Sequence, residues 1–169
     1  TALNGSKEVA RILIGAGANR DIKDNKGKSY LDYSKEKRYQ EMINLLRKPL
    51  DEATEKIWWE AIKNNDVKVV KDILQEYIID VNAKDRKLGW TPLHCTAKHN
   101  SKEVAQILIQ YKANIEAKTN VEKTPLHYTA WKNSKQVAEI LIQHNAHIEA
   151  KDKWKRTPLH LTAQYNSKE

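Results

Sequence analysis

A chain of 169 residues with 40% apolar and 31% charged residues has the makeup of a folded, water-compatible domain and not of a disordered segment. Its longest apolar runs, such as Ile12 to Ile14 and Ile107 to Ile109, fall far short of the roughly 20 residues a membrane helix requires, so no membrane partner is expected. The single cysteine, Cys95, excludes an internal disulfide and a cysteine-rich metal centre and suits a reducing, intracellular setting, cytoplasmic or nuclear, while a net charge of +8 steers acidic partners toward the chain.

In chain order, Thr1 to Lys7 lack the charged-then-apolar order of a secretory signal, and Asn4-Gly5-Ser6 matches a glycosylation sequon, a pattern short enough to arise often by chance. Thr1 to Ala18 aligns with Thr96 to Ala113, so this stretch reads as a helix followed by a turn at Gly15-Ala16-Gly17 and not as a phosphate loop. Ser29-Tyr30-Leu31-Asp32 opens a helix, and Met42, Ile43, Leu45 and Leu46 mark another that ends near Lys48. Pro49 and Leu50 lead straight into a helix over Glu55 to Lys63, with Trp58 in its buried slot, and a further helix over Val67 to Tyr77. Beyond that, Thr91 can cap a helix by accepting a backbone N–H, and Pro92 stands in the first turn, where its missing donor costs nothing. Leu93 and Ala97 share a face of that helix. Ser101 reads as a second cap, with Glu103 in the positive first turn of a helix running to about Gln110. Val104, Ile107 and Leu108 form its apolar stripe, and Ala105 leaves room for a partner helix.

The later elements are copies. Thr91-Pro92-Leu93-His94 recurs as Thr124-Pro125-Leu126-His127 and as Thr157-Pro158-Leu159-His160, each 33 residues after the last. Ala113-Asn114-Ile115-Glu116-Ala117-Lys118 likewise returns as Ala146-His147-Ile148-Glu149-Ala150-Lys151. These motifs resemble the ankyrin repeat, whose Thr-Pro-Leu-His-x-Ala signature is met except that Thr96, Thr129 and Thr162 replace the final Ala. The resemblance implies an all-α solenoid of stacked helix-turn-helix units with hairpin fingers and a concave binding face.

The order of units is unusual. Residues 1–48 resemble the end of an array, a partial repeat followed by a carboxy-terminal cap, and residues 49–52 form a joint without a finger. Residues 53–169 resemble an amino-terminal cap followed by repeats, the last of which lacks its second helix. Three arrangements stand open: a continuous stack through the joint, head-to-tail self-association in which Ser167-Lys168-Glu169 of one molecule meets the Ser6-Lys7-Glu8 match of the next, and a native order of segments different from that given. Closure of the broken repeat within one molecule is set aside, because the few residues around Pro49 cannot reach across an array of roughly 40 Å, and of the three the first is favoured for a covalent chain.

No catalytic, cofactor or metal site is expected. His94, His127 and His160 recur once per repeat, about 10 Å apart when repeats stack, too far to share a zinc ion, and read as hydrogen-bonding struts. His144 and His147 straddle a helix end with no third ligand, and Cys95 points into the helix interior, away from its neighbour His94. In the family that the repeats resemble, partners are gripped by the fingers and the end of the first helix. Carried onto this chain, those positions are Arg86, Lys87, Trp90, Lys98 and His99, then Asn120, Val121, Lys123, Trp131 and Lys132, then Lys153, Trp154, Arg156, Gln164 and Tyr165. They vary between copies while buried positions repeat. Seven of the fifteen are Lys or Arg and none is acidic, which points to a protein partner with an acidic surface or segment. Two alternatives remain: nucleic-acid binding through the same cations and aromatics, and a spacer or scaffold for domains elsewhere. A purely structural account of the surface is also open, with Trp stems packed on neighbouring fingers and lysines solvated.

Overall fold

The computed structural model describes residues 9–166 apart from 11, 14, 15, 17, 20, 21 and 37–47. The sequon at Asn4, the turn glycines Gly15 and Gly17, the helix expected around Met42 to Leu46 and the Ser6 and Ser167 matches lie outside the described residues. The chain divides into two compact units, residues 1–50 with 74–79, and residues 51–73 with 80–169.

In the first unit, Val9, Ala10, Ile12 and Leu13 are helical, and Ala16 and Ala18 donate N–H bonds back to Ile12 and Leu13. Tyr111 and Ala113 do the same to Ile107 and Leu108, so the alignment of residues 1–18 with 96–113 holds at the level of the closing turn. Helix α1 (Tyr30–Glu36) begins at a reciprocal pair: the Ser29 N–H and hydroxyl donate to the Asp32 carboxylate, and the Asp32 N–H donates to Ser29 Oγ. A two-residue strand β1 (Lys48–Pro49) pairs in parallel with β2 (Tyr77–Ile78), in the register Lys48 to Tyr77 and Pro49 to Ile78. The all-α reading thus gains one short bridge.

The second unit opens with α2 (Glu52–Lys63), which starts three residues earlier than the sequence reading placed it, because Asp51 caps it by accepting the Thr54 N–H at 2.8 Å. Trp58, Ala61 and Ile62 are buried on it. Helix α3 (Val67–Glu76) follows, with Val70 and Ile73 in the core, and it stops one residue short of Tyr77, which belongs to β2.

Two helix pairs then repeat, α4 (Pro92–His99) with α5 (Lys102–Gln110) and α6 (Pro125–Lys132) with α7 (Lys135–Gln143), and the first helix of a third follows, α8 (Pro158–Asn166). Leu93, Ala97, Val104, Ala105, Leu108, Val137 and Leu141 are wholly buried between them. Each aliphatic in that state contributes roughly 1.5–3 kcal/mol, and it does so only because the neighbouring repeat supplies the other wall.

Short polar links fix the stacking. Asn65 and Asn100 end the first helix of their units in the left-handed conformation, φ 55° and 56°. Each reaches into the next repeat, where Asn65 Oδ1 accepts the Val104 N–H and Asn100 Oδ1 that of Val137. Ser101 departs from its expected role. Its hydroxyl does not cap α5 but donates to the Lys63 carbonyl at the end of α2, so it ties two units together. The threonines in place of the signature Ala are absorbed as well, since Thr96 and Thr129 Oγ1 donate to the Leu93 and Leu126 carbonyls at 2.8 Å.

The fingers share one turn. Asp24, Thr119 and Asp152 each donate an N–H to the carbonyl four residues on, at Lys28, Lys123 and Arg156, and Asp85 does so to Trp90 across a finger one residue longer. The residue ahead of that carbonyl is in every case left-handed: Gly27, Gly89, Glu122 and Lys155 have φ of 72°, 69°, 59° and 61°. Side chains brace the loops from within. Asp152 Oδ1 accepts N–H bonds from Trp154 and Arg156, and Asp85 Oδ1 accepts them from Leu88 and Gly89. In the second unit consecutive fingers are joined by the Asn120 N–H to Leu88 O and the Lys153 N–H to Val121 O.

Candidate protein-binding surface

The capping threonine and its histidine place the side chains that vary. The Thr91 N–H and hydroxyl both face His94 Nδ1, at 3.1 and 2.9 Å, inside a capping box that opens α4. A backbone N–H can only donate, so Nδ1 is the unprotonated nitrogen, and Nε2 carries the hydrogen that it gives to the Lys123 carbonyl at 3.0 Å. His127 repeats the arrangement with Thr124 and the Arg156 carbonyl. The histidine of one repeat therefore holds the base of the next finger, where Lys123 and Arg156 stand. Both nitrogens of each ring are committed to this framework. Burial pushes His94 down to about 4, and it lowers His127 in the same direction.

Among the described residues there is no group of three or more His, Cys, Asp or Glu that could hold a metal ion. His144 turns its Nδ1 to the Ile140 carbonyl, and His147 uses its backbone N–H on Glu116. Cys95 is a buried free thiol whose burial raises it to about 11, which leaves it protonated and unreactive at neutral pH.

Ten of the fifteen expected contact residues converge. Trp90, Trp131 and Tyr165 line up through Tyr128 in a ladder of edge-on and tilted rings, with centroids 4.8 Å apart for Trp90 and Tyr128, 5.8 Å for Tyr128 and Trp131, and 6.1 Å for Trp131 and Tyr165. The Trp90 indole N–H donates to the Tyr128 hydroxyl at 2.9 Å. Cations lie on the rings: Lys98 5.0 Å from Trp90, Lys132 4.1 Å from Trp131, and Lys153 and Arg156 5.3 and 4.6 Å from Trp154. Lys123 reaches three rings together, 5.8 Å from Tyr128, 5.8 Å from Trp131 and 6.0 Å from Trp154. Gln164 joins through the Arg156 guanidinium. Trp154 is exposed, whereas Trp90, Trp131 and Tyr165 are half-buried, so the ladder presents edges and not whole faces.

The other five positions serve differently. Arg86 and Lys87 are exposed on the first finger and make no ring contact among the described residues. Asn120 and Val121 spend their backbones on neighbouring fingers. His99 lies near Lys98 and Lys63, and burial first, then these charges, holds its ring below the ordinary value.

Two residues escaped the sequence reading. Tyr128 occupies the slot of Cys95 and Leu161, an interior position by the repeat, yet it is the centre of the ladder; the signal was a hydroxyl placed opposite a tryptophan of the preceding finger. Asp152 is the other. Its side chain is fully buried beneath Arg156, which it binds through two guanidinium nitrogens at 3.0 and 2.8 Å. Bonds from Arg156 keep its carboxyl below the ordinary range against the cost of burial. One of the seven cations is consequently neutralised within the protein.

No described helix is long and apolar enough to cross a membrane. Residues 58–152 match the family model for ankyrin repeats in three copies. Over 74 residues, 44% of the chain, the sequence is 38% identical to Ankyrin repeat domain-containing protein 49 of Drosophila melanogaster, and the match spans 34% of that relative, about a third of its length. Ankyrin repeats generally mediate contacts between proteins and act as non-enzymatic scaffolds. With a 33-residue period, shared capping boxes and fingers, and a match over more than half its length, the chain belongs to the ankyrin repeat family.

Proposed function

We propose that the chain is a non-enzymatic interaction module that takes an acidic segment of a protein partner across its fingers and first-helix ends. The observation that carries this reading is the ring ladder from Trp90 to Tyr165 flanked by Lys98, Lys123, Lys132 and Lys153, none of which makes an ion pair among the described residues. Apolar edges beside unneutralised cations suit a partner that alternates apolar anchors with carboxylates. The buried, protonated Cys95 thiol is consistent with a reducing interior, so we place the module inside the cell.

The test compares proteins captured by the wild type with those captured by a Trp131→Ala, Lys132→Ala double variant, identified by mass spectrometry. Partners with acidic segments are expected to drop out of the variant's set and to leave the wild type as salt rises. Equal capture by both forms sinks the proposal. The same cations and rings could hold single-stranded nucleic acid, and that reading predicts tight, salt-sensitive binding of a labelled oligonucleotide, which the proposal does not. A scaffold role predicts neither effect.

A further inference from the structure

Resting on the reading above, the geometry points to Lys123 as the anchoring cation of this surface: its ammonium, set among Tyr128, Trp131 and Trp154, receives one Asp or Glu carboxylate of the partner, flanked on both sides by apolar residues. The partner's motif is accordingly an isolated acid between apolar side chains and not a run of acids.

The first support is position. Lys98, Lys132 and Lys153 each lie against a single ring, while the Lys123 Nζ is nearly equidistant from three, at 5.8, 5.8 and 6.0 Å. Rings surround it with apolar surface, so a carboxylate arriving there brings apolar neighbours into contact with Trp131 and Trp154. A second acid beside the first reaches only the exposed Lys132 or Lys153, where water screens the attraction, and it forfeits the apolar contact with Trp131 and Trp154.

The second support is the state of the charge. Lys123 is half-buried and forms no ion pair among the described residues, and its ammonium is held below the ordinary lysine value, first by burial and then by the nearby Arg156. Part of its water is already gone, so pairing costs less desolvation there than at the exposed Lys132 and Lys153, and the attraction is stronger in the drier setting. Arg156 does not compete for the ligand, because Asp152 already occupies its guanidinium.

The third support is rigidity. The Lys123 carbonyl accepts from His94 Nε2 and from the Thr119 N–H, both at 3.0 Å, and its own N–H donates to Thr119 Oγ1 at 3.2 Å. Its main chain is fixed before any partner arrives, which lowers the ordering cost of binding. None of these bonds uses the side chain, so Lys123→Met removes the charge and leaves the framework.

The experiment uses a fluorescein-labelled peptide alternating Glu and Leu, a peptide of the same composition with all Glu before all Leu, and an oligothymidylate of equal charge. Anisotropy is measured on the wild type and on Lys123→Met, Lys123→Arg, Lys132→Met and Lys153→Met. The alternating peptide is expected to bind best and to lose at least about tenfold in affinity with Lys123→Met, against less than about threefold with either exposed lysine. Lys123→Arg is expected to restore most of the loss. Acetylation of the wild type with an amine-reactive ester, read by mass spectrometry, should show bound peptide shielding Lys123 more than Lys132 or Lys153, a readout independent of how any variant folds. If the peptide binds but all three lysines matter equally, or Lys123 is not shielded, the anchor is wrong and the surface reading stands. If neither peptide binds at low salt, or the oligothymidylate binds more tightly than both, the surface reading itself fails.

Discussion

At the scale of single residues, His94 does two jobs with one proton. It is an acceptor at Nδ1 and a donor at Nε2, and only the neutral ring can be both. In the unfolded chain it takes up a proton near its ordinary value of 6.5, whereas in the native protein burial delays this to about 4. Protonation thus favours the unfolded state: the contribution is complete above pH 6.5 and is lost as pH falls toward 4, on the order of 3 kcal/mol in all. Urea midpoints measured between pH 7.5 and 4 should fall steeply for the wild type and more gently for His94→Gln, which starts lower. Equal slopes would mean that His94 is not the titrating group. Burial lowers His127 in the same direction, so its contribution is likewise present at neutral pH and lost on acidification. The sequence carried this role only in part. The Thr-x-x-His spacing announces a capping box, but the carbonyl that receives the other nitrogen lies 29 residues away, in a repeat whose approach only the stacked fold defines.

At the scale of elements, the fingers show which parts of a turn the letters disclose. The left-handed position is filled by Gly27 and Gly89 in two fingers and by Glu122 and Lys155 in the others, so no glycine rule finds all four. At Gly89 the restriction is severe, because an added Cβ collides with the Asn120 carboxamide and comes within 3.1 Å of the Asn120 backbone nitrogen. Gly89→Ala should cost about 1–3 kcal/mol and disturb the Asn120 N–H to Leu88 O link. Lys155→Gly, which relieves the same backbone strain, should raise stability by up to about 1 kcal/mol. Thermal midpoints of the two variants check both signs. Helix positions are readable because Pro, capping Thr and 3.6-residue apolar spacing are local, and α2 starts at Glu52 on an equally local signal, the Asp51 cap. The β1–β2 bridge was not readable at all. Two residues, one of them a proline without an N–H, carry no alternation, and what pairs them is proximity.

At the scale of the whole molecule, identical letters reach different fates. Leu93, Leu126 and Leu159 hold the same slot in successive repeats, yet Leu93 and Leu126 are buried, 0% and 5% exposed, while Leu159 is 73% exposed. Leu159 lines a groove of about 400 Å³ with Ala130, Ala138, Ile142 and Ile148. A chain lengthened past Glu169 by a segment copying Val104 to Ala113 should bury these aliphatics and raise stability by a few kcal/mol, read as a higher urea midpoint with a larger m-value. No change in m-value would show that the added segment does not dock. The solenoid was evident from its period alone, whereas the cluster of rings and cations was only half evident. The charged and Trp positions could be carried over from the family pattern, but the ladder's centre at Tyr128 and the counter-charge at Asp152 depend on side chains meeting across repeats.

The bond from each histidine to the next finger has a consequence for how such a chain can change. It ends on a main-chain oxygen, and any amino acid supplies one. Trp90, Lys123 and Arg156, at matching places in three fingers, already illustrate how unlike the occupants of that place are. A library randomised at position 123 should therefore yield well-behaved proteins at high frequency, whereas position 156 is constrained by the buried Asp152 that its guanidinium neutralises, so new recognition can be selected at 123 without rebuilding the shelf that displays it.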